Sequence, residues 1–362
     1  MNASLPPPRR ALIIQTAFPG DVMLTLPLLQ KLKALFPSAS IDFLAIPTSK
    51  NLLETNPDID QLLIYDKHGT QKGIGHLLHF IKLIRRNRYD LAVVPHRSLR
   101  SAMLARAGGI PYRIGFNRSA GRYLFTHIIT YRRDVHEINR NLYLLSPFGV
   151  NGSEKIFPKL YFSDEDQSVV QYWFHTSGLQ DNDEFIALAP GSVWATKRWL
   201  PEYFAQLANR LAEAGYEIVL VGGEDDRAVA EKVMKAASVP LRNAVGRLTF
   251  RQSAMLIGNA RLIISNDSAP MHLAVAVGTP VVAIFGPTVP AFGFYPYGKH
   301  DRVIEIPDLS CRPCGLHGGN KCPIGTFDCM KRLLPEQVYR VALEVLQSTP
   351  YTEKRRSGED AF

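Results

Sequence analysis

The chain has 362 residues, of which 46% are hydrophobic and 21% are charged, and its formal net charge at pH 7 is +9. This length exceeds what one compact core usually holds, so we expect a globular protein of two domains. No apolar run approaches the roughly 20 residues that span a bilayer, and the first residues lack the apolar segment of a signal peptide, so we expect a cytoplasmic protein.

The first half of the chain alternates predicted strands with predicted helices. Strands are predicted at residues 11–16, 40–47, 61–66 and 90–96, and helices at about 21–36 and 75–88. This alternation predicts a parallel sheet with helices on both faces.

Asp21 is a lone carboxylate between the first predicted strand and the first predicted helix. As a helix cap it would accept hydrogen bonds from backbone N–H groups, which would make it a poorer base. As a general base it would need to accept a proton only late in a transfer reaction, for which a weak base suffices. One oxygen could cap the helix while the other acts as the base, so the two interpretations are compatible.

A strongly basic stretch runs from Lys82 to Arg133, with twelve basic residues and one acid, Asp90. Eleven of the twelve are arginines, whose planar guanidinium suits carboxylate and phosphate, and no nucleic-acid-binding motif accompanies them. The stretch is either an ordinary solvated face or a contact surface for a phosphorylated or membrane-borne acidic substrate. Arg97 and Arg100, which follow the fourth predicted strand, are the candidate acceptor contacts.

The second half repeats the alternation. Strands are predicted at residues 185–191, 216–223, 261–267 and 279–288, and helices at 201–214 and about 225–237. Residues 151–183 are polar and broken by Gly and Pro, so we predict a linker there between domains at 1–165 and 182–348. The tail at 349–362 has too little apolar content to pack, and we predict that it is disordered.

The turn at Asn266, Asp267 and Ser268 follows a predicted buried strand and precedes a short helix. A helix N-terminus at the carboxyl end of a parallel strand suits a diphosphate. Ser268 and His272 lie one helical turn apart, so His272 can donate to the same phosphate. Alternatively, Asp267 is a helix cap and His272 a buried core histidine. No GxGxxG follows the first strand, which disfavours a dinucleotide-dependent dehydrogenase.

A cationic cluster at Thr196, Lys197 and Arg198 follows the first strand of the second half. A cation there can neutralise the charge that develops on a leaving phosphate without a metal. The alternative is a surface lysine between two structural tryptophans. Glu224 follows the next strand, where an acid commonly accepts hydrogen bonds from ribose hydroxyls.

All four cysteines of the chain lie within one short segment, at Cys311, Cys314, Cys322 and Cys329. In a cytosolic protein this pattern suggests a structural zinc site, although the later pair is separated by six residues and not by two. Reduced cysteines packed around turns, or a disulfide in an oxidised sample, are the alternatives.

The segment SNDSAPMHLAVAVGTPVVAIFGPT, together with PGSVWATKRW, FPGDVMLTLPLL and CRPCG…CPIG…CM, resembles glycosyltransferase family 9, the ADP-heptose:lipopolysaccharide heptosyltransferases of Gram-negative bacteria. The likeness runs from about residue 11 to residue 346. It implies an α/β protein of the GT-B fold, with two Rossmann-like doubly wound domains facing a central cleft. It also implies an inverting glycosyltransferase that needs no metal or other cofactor and that holds its donor in the second domain.

The resemblance also implies roles for single residues. Asp21 matches the general base, which is the role we favour for it, Lys197 the lysine on the donor phosphate, and Glu224 the ribose-binding acid. The donor-binding turn is matched by Asp267, Ser268, Ala269 and His272, and Thr196 accompanies Lys197. Ala269 stands where many members have Gly, so its Cβ could narrow the donor pocket.

The implied reaction moves heptose from ADP-heptose to the inner core of lipopolysaccharide, on a lipid A-linked acceptor. The partners would be this nucleotide sugar, an anionic lipid-linked oligosaccharide and, through peripheral contact, the cytoplasmic face of the inner membrane; no nucleic acid is expected. The alternatives are a non-catalytic nucleotide-sugar- or lipopolysaccharide-binding protein on the same fold, and a family 9 transferase with another donor or acceptor, such as a protein hydroxyl.

Overall fold

The computed structural model describes residues 5–66, 73–180 and 183–349. Its contacts divide the chain into two units, Met1–Lys159 and Leu160–Phe362. Except for Thr349, the tail predicted to be disordered lies outside the described residues. No helix among the described residues is long and apolar enough to cross a membrane.

The first unit is built on a sheet whose strands all pair in parallel, in the order β3-β2-β1-β4-β5-β6. The strands are β1 (Arg10–Ile14), β2 (Ser40–Ala45), β3 (Gln61–Ile64), β4 (Leu91–Val94), β5 (Tyr112–Phe116) and β6 (His127–Ile129). The helices are α1 (Pro19–Met23), α2 (Leu26–Leu35), α3 (Lys50–Leu53), α4 (Ile74–Asn87), α5 (Leu99–Ala107) and α6 (Glu137–Leu142).

The second unit repeats this arrangement, with the order β12-β11-β10-β7-β8-β9. The strands are β7 (Phe185–Ala189), β8 (Glu217–Leu220), β9 (Arg242–Asn243), β10 (Leu262–Asn266), β11 (Val281–Phe285) and β12 (Arg302–Glu305). The helices are α7 (Asp164–Ser177), α8 (Pro201–Glu213), α9 (Arg227–Ala236), α10 (Phe250–Gly258), α11 (Ala269–Ala276), α12 (Asp328–Lys331) and α13 (Pro335–Ser348).

The central strands explain why both units are doubly wound. Every residue of β4, β7, β10 and β11 is buried, as expected for parallel strands with helices on both faces. Each sheet reverses its winding direction once, between β1 and β4 and between β7 and β10. Ligands of such sheets bind beyond the carboxyl ends of the strands at this reversal. The α/β fold of two Rossmann-like units is therefore confirmed.

Two parts of the chain differ from the sequence prediction. The helix predicted at 21–36 is two helices, because Pro27 in the first turn of α2 has no N–H to donate to the carbonyl of Met23. The predicted linker contains α7, whose first turn is fastened by a capping box between Ser163 and Asp166. Asp166 also forms an ion pair with Arg251 of α10, at 2.6 Å, so α7 belongs to the second unit.

Candidate active site

Lys197 lies in a 3-10 turn after β7, at the winding reversal of the second sheet. Its Nζ donates to Oδ2 of Asp267, which follows β10, over 2.6 Å. The two side chains are only 12% and 8% exposed. Lys197 is thus a largely buried, paired cation and not a solvated surface lysine.

Asp267 accepts a second hydrogen bond on the same Oδ2, from Oγ1 of Thr288 at 2.6 Å. Thr288 is buried and lies just beyond β11, so three neighbouring strands, β7, β10 and β11, each contribute one group. Asp267 is not a helix cap, because the N-cap residue of α11 is Ser268. The sequence prediction missed Thr288, although it ends the FGPT segment that follows the β11 pattern.

The loop that carries Lys197 is fastened at two points. The buried amide of Asn266 donates to the carbonyl of Pro190 (2.8 Å) and accepts from the N–H of Trp199 (3.0 Å). Oγ1 of Thr196 donates to the carbonyl of Gly319 and accepts from its N–H, both at 2.8 Å. The Thr196 hydroxyl therefore anchors this loop, and its predicted contact with the donor stays a prediction.

The turn at the start of α11 contains the other predicted donor residues. Ser268 and Ala269 are half-buried, and the Ser268 hydroxyl donates to the carbonyl of Asn266 over 3.3 Å. His272 is buried, and burial lowers its pKa to about 4; the charge of Lys197 acts in the same direction and that of Asp267 against it. His272 is therefore neutral at physiological pH, and its imidazole can donate to a phosphate only as an uncharged N–H group.

Glu224 begins a 3-10 turn four residues beyond the end of β8. Its side chain is 70% exposed and pairs with Arg227 at 2.5 Å. It thus lies at the same edge of the sheet as Lys197 and Asp267, with its carboxylate near the surface, and ribose binding by it stays a prediction.

In the first unit, Asp21 is the third residue of α1, which follows β1 directly. It is half-buried and is not the N-cap of α1, since Phe18 has that position. The loops after β1 and β4 are joined by a hydrogen bond of 2.9 Å between Oγ1 of Thr16 and Nδ1 of His96. Asp21 therefore lies at the winding reversal of the first sheet, as Lys197 and Asp267 do in the second.

Arg97 and Arg100 lie in different surroundings. Arg97 is half-buried, with its guanidinium carbon 4.5 Å from the ring centre of Tyr131, whereas Arg100 is exposed on α5. Several other arginines of the basic stretch have specific partners: Arg85 donates to the carbonyl of Ala107, and Arg113 donates to that of Leu124. The stretch is therefore not a uniform solvated face.

All four cysteines are thiols. Burial raises the pKa of Cys329 to about 11, and the neighbouring cysteines act in the same direction. Among the residues that the structure describes, no three or more His, Cys, Asp or Glu side chains are arranged to hold a metal ion. The zinc site therefore stays a prediction from spacing.

Comparison with known proteins gives consistent matches. Residues 77–319 match the family model of glycosyltransferase family 9 (heptosyltransferase). Over 281 residues the chain is 31% identical to lipopolysaccharide heptosyltransferase 3 of Escherichia coli, a match that covers 75% of this chain and 82% of that protein.

Solved structures extend the likeness to the whole fold. The glycosyl transferase family 9 structure from Veillonella parvula DSM 2008 has a TM-score of 0.85 and 27% identity, covering 94% of this chain and 98% of that one. The E. coli ADP-heptose lipopolysaccharide heptosyltransferase II has a TM-score of 0.76 and 25% identity, covering 94% and 99%. Both likenesses include the two units of the chain.

Proposed function

Since the chain belongs to glycosyltransferase family 9 and is a glycosyltransferase, we propose that it transfers a heptosyl group from ADP-heptose to the inner core of lipopolysaccharide, with inversion at the anomeric carbon. The donor assignment is supported by the solved relative that is an ADP-heptose lipopolysaccharide heptosyltransferase. The second unit would bind the donor and the first unit the acceptor.

The observation that carries the proposal is the group of Lys197, Asp267 and Thr288 beyond the carboxyl ends of β7, β10 and β11. An ammonium has three N–H donors, and the bond to Asp267 uses one, so Lys197 can bind a phosphate oxygen without giving up this pair. Asp267 and Thr288 hold the lysine in one orientation. The N-terminus of α11 adds a positive dipole end for the diphosphate.

Transfer then requires one base. The acceptor oxygen bonds to the anomeric carbon, the bond from that carbon to the diphosphate breaks, and ADP leaves with the bonding electrons. The hydroxyl proton passes to Asp21. Lys197 offsets the charge that develops on the leaving diphosphate, which is why we propose a reaction that needs no metal ion.

The acceptor is proposed to be anionic and lipid-linked, at the cytoplasmic face of the inner membrane, with peripheral contact between protein and bilayer. The argument is electrostatic: exposed arginines such as Arg100 would attract the phosphates and carboxylates of an inner core.

The test is transfer by the purified protein from ADP-heptose to lipopolysaccharide of a strain that lacks inner-core heptose. We expect ADP release that depends on the acceptor, and a product whose mass, measured by mass spectrometry, has increased by one heptose. EDTA should not lower the transfer rate. Lys197→Ala should weaken ADP-sugar binding. Donor binding without acceptor-dependent ADP release would favour a non-catalytic binding protein, and activity that EDTA removes and Mg²⁺ restores would contradict the metal-free reaction.

A further inference from the structure

One arginine of the cysteine-rich segment, residues 311–329, is buried against the ends of two strands. The side chain of Arg312 is only 6% exposed. Its Nη1 donates to the carbonyl of Ile306 over 2.8 Å. Its Nη2 donates to the carbonyl of Thr288 and to Oε2 of Glu305, each over 2.6 Å. Glu305 ends β12 and Thr288 lies just beyond the neighbouring strand β11, so Arg312 fastens the loop after β11 to the end of β12.

The acceptors around Arg312 suit a guanidinium. Two are backbone carbonyls of the buried residues Thr288 and Ile306, and buried carbonyls are rarely left without a donor. The third is the carboxylate of Glu305, which offsets the charge of the arginine. A guanidinium has five N–H donors in one rigid plane and can serve all three acceptors at once, whereas a lysine ammonium is a compact point charge. Arg312 is therefore a specific brace between the two strand ends.

Arg312 is connected to Lys197 by a series of hydrogen bonds. The carbonyl that Arg312 binds belongs to Thr288, whose hydroxyl donates to Oδ2 of Asp267 over 2.6 Å. The same Oδ2 accepts from Nζ of Lys197 over 2.6 Å. Because the carbonyl and the hydroxyl belong to one residue, a shift of the Thr288 backbone would draw the hydroxyl away from Asp267. Asp267, and with it Lys197, would then lose one of the contacts that fix its orientation.

The segment that contains Arg312 also contacts the loops on both sides of this group. The N–H of Cys314 donates to the carbonyl of Pro287, in the loop after β11, over 2.9 Å. The N–H of Thr196, in the loop after β7, donates to the carbonyl of Gly319 over 2.9 Å. The segment thus joins the loop after β11 to the loop after β7, and its arginine anchors it to β12.

We propose that Arg312 is a positioning residue for donor binding. It holds the Thr288 hydroxyl on Asp267, and Asp267 in turn keeps the Lys197 ammonium in the orientation that receives the diphosphate. A cation that is oriented before the donor arrives loses less freedom on binding, which raises the affinity. The proposal rests on the proposed function, in which Lys197 binds the donor phosphate. In this role Arg312 acts through Thr288 and not through contact with the donor.

The test is a double-mutant cycle read out as ADP-heptose affinity by calorimetry. We expect Arg312→Gln and Thr288→Val each to weaken binding by about tenfold. The double variant should be hardly weaker than either single variant, because both changes release the same pair of Asp267 and Lys197. A double variant weakened by the product of the two single effects, about a hundredfold, would mean that Arg312 does not act through Thr288 and overturns the proposal.

The matched control is Arg251→Gln, at another buried arginine of the second unit that is paired with a carboxylate, that of Asp166. It should lower the melting temperature and leave the ADP-heptose affinity unchanged, which separates positioning from a general loss of stability. If Arg312→Gln does not fold, Arg312→Lys takes its place, because it keeps a cation beside Glu305 but lacks the planar fork. Wild-type affinity in the folded variant overturns the proposal.

A second measurement depends neither on the donor nor on transfer. Lys197 is 12% exposed and paired, so acetic anhydride should acetylate it slowly in the wild type, as followed by mass spectrometry. We expect severalfold faster acetylation of Lys197 in Arg312→Gln and the wild-type rate in Arg251→Gln. An unchanged rate in Arg312→Gln overturns the proposal and leaves the proposed function intact. A wild type that shows no acceptor-dependent ADP release contradicts the proposed function instead, and the acetylation rates still decide the role of Arg312.

Discussion

Asp21 is the residue for which a structural and a chemical role are most easily separated, because it is inside α1 and is not its N-cap. We expect Asp21→Ala to lower the turnover number by about two to four powers of ten, the usual contribution of a general base, with little change in donor affinity. Single-turnover assays and calorimetry measure the two quantities. Asp21→Asn, which cannot take the proton, should be as slow; normal turnover in this variant would contradict the assignment.

The burial of His272 determines how donor affinity should depend on pH. Because burial lowers its pKa to about 4, lowering the pH from about 8 to about 6 adds no charge to it, and the affinity for an ADP-sugar should not rise. An ADP-sugar is the right probe because its diphosphate is esterified at both ends and has no second ionisation near neutral pH. Calorimetry should give flat affinities for the wild type and a loss of about tenfold for His272→Ala. Tighter binding at the lower pH that His272→Gln abolishes would mean that the imidazole is charged.

The anchoring of the loop after β7 should affect donor affinity. Thr196→Val removes the two hydrogen bonds that the Thr196 hydroxyl makes with Gly319 and leaves the Gly319 N–H without this acceptor, whereas the Gly319 carbonyl keeps its bond from the Thr196 N–H at 2.9 Å. An unpaired donor costs about 1–3 kcal/mol when it is buried, and Gly319 is half-buried. If this loop positions Lys197, donor affinity should fall by about five- to tenfold, as measured by ADP-sugar titration. Thr196→Ser keeps the hydroxyl and should bind normally. Weakening in Thr196→Ser but not in Thr196→Val would mean that the Thr196 methyl group, and not the hydroxyl anchor, matters.

Helices and strands could be predicted from the sequence where one local signal, such as a proline at the start or a glycine just past the end, was clear. The helix α8 begins with Pro201 in its first turn and is followed by Gly215 at a φ of 92°, as its sequence indicated. The break between α1 and α2 was missed because the apolar pattern continues through it, although Pro27 was a visible signal. Helix α7 was missed because its apolar face is narrow, although Ser163 and the acidic first turn are signals for a helix start. Packing against α10 supplies the stabilisation that its own sequence does not.

The charge distribution of the whole molecule predicts a salt effect. If exposed arginines attract an anionic acceptor, its KM should rise severalfold between about 0.05 and about 0.5 M salt, because the screening length falls from about 14 Å to about 4 Å over this range. ADP-sugar affinity should change less.

Arg100→Glu should raise the acceptor KM. The control is Arg302→Glu, at an exposed arginine in β12 of the second unit, which should leave the acceptor KM unchanged. Arg97 suits this test less well, because reversing its charge would also break its stacking on Tyr131. A salt-independent KM with both variants silent would mean that the basic stretch is an ordinary surface.

The sequence by itself determined the two α/β halves and the positions of Asp21, Lys197 and Asp267, because strand patterns and the residues just beyond them are local in the chain. Only the tertiary structure decided which groups meet. Lys197 and Asp267 pair across 70 positions, and Thr288 joins them from a third strand. The physical reason is that parallel pairing brings the carboxyl ends of distant strands to one edge, and only burial at that edge gives the His272 imidazole its altered affinity for protons.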